Sequence, residues 1–155
     1  MHAGTYEVIQ TIPAGNGPHG LRISRDSRYA YVVNMGEDTV SVISLLDMRE
    51  ERKIKVGKTP VTTGVTGEGK TLAVTLNAKD SIAVVDLTAG DIKKIQVGYG
   101  PAQLYIEPDD NFVFVANQGT QARPSNTVSK NRPKDKKGGR DDRRGKGCSR
   151  RGNGS

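Results

Sequence analysis

Apolar and polar positions along this chain alternate in short runs, broken every few residues by turn formers. Val8 to Ile12 is a β-branched run closed by Pro13. Leu21 to Ile23 follows, then the polar turn Ser24 to Arg28, then Tyr29 to Val33 and, after Gly36-Glu37-Asp38, Thr39 to Ile43. Arg52 to Val56 sets apolar against charged residues, the pattern of a half-exposed strand. The same order then recurs: Thr63 to Val65, Leu72 to Leu76, Ser81 to Val85 and Ile92 to Val97, with turns at Gly67 to Lys70 and Ala78 to Asp80. A third pass gives Leu104 to Ile106, the turn Glu107 to Asn111, Phe112 to Ala116, a longer loop through Arg123-Pro124-Ser125, and Asn126 to Ser129. No apolar stretch of helical period and useful length occurs; Ser44 to Glu51 comes nearest and reads as a turn between strands.

The recurrence is regular. Glycine-containing runs end in proline at Pro18, Pro60 and Pro101, spaced 42 and 41 residues, and each copy goes on to a strand ending in Asn34, Asn77 or Asn117. A period in this range, filled by short strands, predicts propeller blades. The units fall at about 6–48, 49–90 and 91–129. The expected fold is all-β, a partial β-propeller of about three four-stranded blades. The third blade lacks an outer strand unless Val8 to Ile12 supplies it.

Charge divides the chain differently. The net charge is +7, which on its face suggests an acidic or nucleic-acid partner. Residues 130–155 hold 11 basic and 3 acidic side chains, and residues 1–129 hold 13 and 14, so the blades are nearly neutral. The segment 130–155 has no Ala, Val, Ile, Leu, Met or aromatic residue and is expected to be a disordered basic tail. Back-translated and shifted by one base, residues 131–153 can spell a further unit containing Gly-Lys-Gly-Ala-His-Gly, akin to Gly15 to Gly20. The tail therefore reads as an out-of-frame continuation of a truncated propeller. Its arginine–glycine runs offer non-specific, salt-sensitive nucleic-acid binding, without aromatics for base stacking. The one cysteine, Cys148, excludes an intramolecular disulfide. No stretch is apolar enough to span a membrane, and no secretory signal is visible.

The strand end Tyr31-Val32-Val33-Asn34, with Gly17-Pro18-His19-Gly20 before it, Asp38 to Ile43 after it and Asp109 in a later turn, resembles the YVTN β-propeller repeat family over roughly residues 6–129. That resemblance implies a blade of a larger ring, in a group that includes surface-layer and periplasmic proteins. Related rings include the haem-binding domain of nitrite reductases and lactone hydrolases. A periplasmic or cell-surface setting is what the resemblance suggests.

Candidate chemistry is sparse. His19 could serve as a haem or metal ligand or as a partner contact, but a metal needs three or four converging ligands, so a turn residue bonding backbone is the favoured reading. The repeat-signature residues Pro18, Asn34, Pro60, Asn77, Pro101 and Asn117 read as structural, the asparagines tolerating left-handed geometry and bonding their own turns. Asp26, Asp109 and Asp110 are expected to cap backbone amides. Tyr29, Tyr31, Tyr105, Phe112 and Phe114 are expected in the core between blades, and Tyr99 exposed. No Ser-His-Asp set, Cys-His pair or phosphate-binding glycine loop is present. The expectation is a non-catalytic binding or scaffold module with no cofactor and an unidentified protein or small-ligand partner. Its open blade faces are expected to make it poorly soluble, partly ordered or self-associating. The alternatives are part of a haem-binding or lactone-hydrolysing propeller, or a nucleic-acid binder working through its tail.

Overall fold

The computed structural model describes residue 4 and residues 7–132. Eleven strands run in chain order among them: β1 Pro18–Ile23, β2 Tyr29–Asn34, β3 Thr39–Ser44, β4 Arg49–Lys55, β5 Pro60–Val65, β6 Thr71–Leu76, β7 Ser81–Asp86, β8 Ile92–Gln96, β9 Pro101–Ile106, β10 Val113–Gly119 and β11 Pro124–Asn131. A 3₁₀ turn covers Asn77–Lys79. The strands form three antiparallel sheets, ordered β1-β2-β3-β4, β5-β6-β7-β8 and β9-β10-β11. β1, β5 and β9 lie side by side, so they form the inner edge of the array.

Alternation within strands decides which sheet covers which. Tyr31, Val33, Val40 and Val42 of the first sheet pack against Leu72, Val74, Leu76, Ala83 and Val85 of the second. The opposite face of the second sheet, through Ala73 and Ile82, packs against Leu104, Val113 and Val115 of the third. The second sheet is thus apolar on both faces, which is why Leu72 to Leu76 reads as an unbroken apolar–threonine run. Burying each of Leu72, Leu76 and Ile82 is worth about 1.5–3 kcal/mol. An exposed pair such as Lys70–Glu68, at 3.2 Å, adds at most about 1 kcal/mol. Face-to-face packing therefore holds the array. Gly64 marks how close two sheets come: a Cβ there would lie 2.6 Å from Leu104 Cδ1.

The crossings between sheets are clamped by a repeated device. Asp38 and Asp80 sit in the hairpin turns after β2 and β6 at φ 61° and 49°, a left-handed conformation that aspartate tolerates. Asp38 Oδ1 accepts from Thr59 N at 3.0 Å, and Asp80 Oδ1 accepts from Gly100 N at 2.9 Å. Their backbone carbonyls accept from Val56 N and Val97 N at 3.1 and 2.9 Å. The residue before each repeat proline is left-handed as well: Gly17 at φ 64°, Thr59 at 53° and Gly100 at 58°.

Several expectations change here. Val8 to Ile12 is not a strand; Val8 and Ile9 are exposed, and the segment does not complete the third sheet, which has three strands among the described residues. The turn expected over Ser44 to Glu51 ends at Met48, because β4 begins at Arg49 to match β3. β11 starts at Pro124, inside the expected loop, and runs through Lys130 to Asn131, so the segment 130–155 does not begin where the blades end. Pairing of β10 with β11 from Val113↔Asn131 to Asn117↔Thr127 draws those polar residues into the ladder. Residues 133–155, which carry most of the expected basic tail, lie outside the described residues. The units cut at 48/49 and 90/91 are offset from the sheets by one strand, since β4 and β8 pair with the strands before them.

Thr59 is the one β-branched residue at the left-handed pre-proline position. Thr59→Gly is expected to stabilise the chain by about 1 kcal/mol, read as a higher urea midpoint with an unchanged slope.

Candidate ligand-binding cleft

The repeat prolines open the inner strands: Pro18, Pro60 and Pro101 are the first residues of β1, β5 and β9, where a missing N–H disrupts no ladder. His19 follows Pro18 on the exposed inner edge, its Nδ1 3.0 Å from the carbonyl oxygen of Val61 on the next sheet. Its counterparts in the other sheets are Val61 and Ala102, which carry no ligand atoms. Among the described residues no group of three or more His, Cys, Asp or Glu is placed to hold a metal.

The asparagines divide. Asn34 is fully buried; its Oδ1 accepts from Gly15 N at 3.1 Å and its Nδ2 donates to Thr39 Oγ1 at 3.1 Å and Ser41 Oγ at 2.8 Å. Asn117 repeats the pattern, its Nδ2 donating to Thr127 Oγ1 at 3.2 Å and Ser129 Oγ at 2.9 Å. Asn77 is not their counterpart. Pro18 pairs with Asn34 and Pro60 pairs with Leu76, so Leu76 holds that position and joins the core. Asn77 lies one residue further, in the 3₁₀ turn, donating to Pro101 O at 3.2 Å. None of the three is left-handed; Asn34 is a hub between a strand end and the incoming linker, whereas Asn117 bonds the neighbouring strand β11.

The turn aspartates hold backbone, some of it distant. Asp26 Oδ1 accepts from Ser24 Oγ at 2.6 Å and Arg28 N at 3.1 Å. Asp110 takes Gly67 N with both carboxylate oxygens, at 3.0 and 2.8 Å, tying the third sheet to the second. Tyr29 and Tyr31 face the core between the first two sheets. Tyr105 is exposed and Phe112 and Phe114 are half-buried, because among the described residues their face of the third sheet has no neighbour. Tyr99 is exposed, with the Arg123 guanidinium 4.4 Å from its ring centre.

Between the first two sheets, at the end carrying the β1–β2 and β5–β6 turns, a cavity of about 290 Å³ opens. Asp26, Tyr29, Tyr31, Glu51, Arg52 and Glu68 line it, with Ser24, Leu87 and Thr88. Arg52 Nη2 donates to Leu87 O at 3.2 Å, which anchors the guanidinium to one wall. The Ser24 hydroxyl, and then the Arg28 amide, hold the Asp26 carboxyl below its ordinary range. Burial, reinforced by the nearby Asp26 charge, pushes the Tyr31 phenol up, so it stays a donor at neutral pH. Three carboxylates and one guanidinium line the space beside two aromatic rings, with Lys70 on Glu68 at 3.2 Å and the Arg28 charge near Asp26. No histidine lies among the lining residues, and the Ser24 hydroxyl donates to the Asp26 carboxylate at 2.6 Å. Sequence reasoning singled out Asp26 and the tyrosines for structural roles and passed over Glu51, Arg52 and Glu68. They come from separate turns and strands, and only the stacking of sheets brings them together. A second groove, of about 260 Å³, runs along the inner strands between Arg22, Gly64 and Tyr105.

Successive antiparallel sheets, two of four strands and one of three among the described residues, stacked face to face with their first strands at a common inner edge, define a β-propeller repeat protein. The chain is 30% identical over 119 residues to a seven-bladed beta-propeller protein of Mycobacterium tuberculosis, a match covering 74% of this chain and 30% of that one. Among solved structures it is similar to hydrazine synthase of Kuenenia stuttgartiensis, with TM-score 0.65 and 26% identity over 77% of this chain and 33% of that chain. It is also similar in fold to the Cps50 β-propeller domain of Myceliophteria thermophila, with TM-score 0.62 and 17% identity over 71% of this chain and 35% of that one. The chain thus spans about a third of the length of these relatives. No family model matches.

Two outcomes test the site's framework. Asn34→Ala removes the acceptor of Gly15 N and is expected to cost about 1–3 kcal/mol in urea unfolding. Asp26 and Asp86 both have carboxyl groups held below the ordinary value of 3.8, Asp26 chiefly by Ser24 and Asp86 by the Ala89 and Thr88 amides. Groups depressed in the folded state stabilise it above their unfolded pKa, and that stability is lost as pH falls through the folded value. The thermal midpoint is expected to drop below about pH 4, and Asp86→Asn is expected to flatten the drop.

Proposed function

We propose that this chain is a non-catalytic binding or scaffold module that contributes its three sheets to a larger propeller, with the cleft between its first two sheets as the recognition site for a small cationic ligand. The observation that carries the reading is how the polar side chains are used. Asn34, Asn117, Asp38, Asp80, Asp110 and His19 all bond backbone or neighbouring strands. In the cleft, Asp26 and Arg52 are each held by local bonds, to Ser24 and Arg28 and to Leu87 O, and together with the two tyrosines they line the open space. Such a lining binds and orients, and it supplies no activated nucleophile. An envelope or periplasmic setting is supported by the family resemblance alone.

Titration with a small organic cation such as arginine methyl ester, followed by NMR shifts of the Tyr29, Tyr31 and Gly69 amides, tests the site. Saturable shifts are expected, weakened about tenfold or more by Asp26→Asn with Tyr31→Phe, since one lost charge-assisted contact is worth roughly 1.5–3 kcal/mol. Shifts that persist unchanged in that variant would remove the cleft from the reading. Lactone turnover, or a haem absorbance band on adding haem, would replace the non-catalytic reading itself.

A further inference from the structure

Register reveals two surfaces that differ sharply from their counterparts in the interior. Val40, Ile82 and Val128 occupy one position in the three sheets, opposite Val33, Thr75 and Ala116. Val40 and Ile82 are 0% and 1% exposed, packed on the following sheet, whereas Val128 is 67% exposed. On the opposite face, Leu21 and Leu104 share a position, opposite Val32 and Val115. Leu104 is 3% exposed against the preceding sheet, and Leu21 is 53% exposed. The third sheet therefore presents the same kind of face that the first and second present forward. The first sheet presents the same kind of face that the second and third present backward.

The strand inventory is complementary in the same sense. Ile54 of β4 pairs with Val40, and Ile95 of β8 pairs with Ile82. Ile12 stands 42 residues before Ile54, and Ile54 stands 41 before Ile95, so Ile12 is their counterpart in an extended segment with no sheet of its own. Among the described residues the third sheet has no strand paired beyond β11, and the residue of β11 at the register of Val40 and Ile82 is Val128. Asn126 stands where Asp38 and Asp80 clamp the crossings, a position able to receive the amide of Gly17.

We propose that the occupant of both open surfaces is a second copy of this chain, joined head to tail. The segment Glu7–Ile12 of one copy adds to β11 of the other as its fourth strand, with Ile12 opposite Val128. Leu21 and Ile23 then cover Tyr105 and Phe114. Two copies set six sheets in succession, within the roughly four to eight that close a propeller. The contact is heterologous, since different surfaces of the two copies meet. It rests on the reading above that the sheets belong to a larger ring, and it is independent of what the cleft binds.

The test uses the full chain in light scattering and cross-linking. Wild-type chain is expected at twice 16.7 kDa. Leu21→Glu alone and Val128→Glu alone are each expected at the monomer mass, with strand content by circular dichroism retained because both positions are exposed. Mixing the two variants is expected to restore a dimer, because one copy keeps an intact β11 face and the other an intact Leu21 face. An interface that pairs one surface with itself gives no such rescue. In a Cys148→Ser background, mixing Ile12→Cys with Val128→Cys is expected to give a disulfide between chains, since opposed strand residues lie about 4.5–5.5 Å apart. A monomer at every concentration, association indifferent to both substitutions, or a disulfide closing within one chain that carries both cysteines would overturn the proposal. A monomer that still binds the cation in its cleft would overturn only the pairing and leave the binding reading intact.

Discussion

Each sheet in this chain needs a neighbour on each face, and the rest of the structure follows from that need. A four-stranded sheet of β-branched residues cannot hide both of its faces alone. The second sheet shows the need met: Leu72, Val74 and Leu76 cover one side, and Ala73 and Ile82 the other. The closeness this demands explains the glycine at Gly64, where a methyl group would meet Leu104. It also explains the cleft, which forms where two turns diverge at one end of a packed pair of sheets. The side chains lining it are polar because that end is wet.

The polar network serves the same packing. Sheets pressed together leave the linkers between them with amides that strands do not satisfy, and a buried amide without a partner is costly. Asp38 and Asp80 answer this at the crossings, and Asn34 at the entry to the first sheet. Where the second sheet has Leu76 in the asparagine's place, Gly57 takes the Asp38 carbonyl instead, at 3.4 Å, and packs against the leucine. One position can therefore be a hydrogen-bonding hub or a core residue, depending on whether the linker finds another acceptor. Asn117 lies between these cases: its Nδ2 is bonded, while its Oδ1 is buried without a hydrogen-bond partner.

The repeat period and strand alternation made the class of fold legible from the sequence, because both are one-dimensional records of stacking. The slip at Asn77 shows where that record misleads. Asn34 and Asn77 are 43 residues apart, whereas Pro18 and Pro60 are 42 apart. One residue in a strand moves a side chain to the other face. The asparagine motif matched by letter and failed by phase, and the proline spacing carried the correction. Tyr105 of the third sheet was legible as a strand residue but not as an exposed one, because exposure depends on what stands beside the sheet. The cleft had no signature at all: Asp26, Arg52 and Glu68 belong to different turns and strands, and no local pattern links them.

The phase of the repeat has a structural meaning of its own. The units beginning at about residues 49 and 91 each open with the outer strand of the sheet before them and continue with three strands of their own. Strand pairing thus crosses every unit boundary, so adjacent units are joined by a hydrogen-bonded ladder as well as by apolar packing. A unit phased to coincide with its sheet would be joined to the next by packing and a linker alone. The offset makes each boundary stronger. Among the described residues, Glu7–Ile12, which stands where β4 and β8 stand in the next two units, belongs to none of the three sheets, and the third sheet has no strand paired beyond β11. Each has the register the other requires, so the offset that binds neighbouring sheets within the chain also equips its two ends to bind one another.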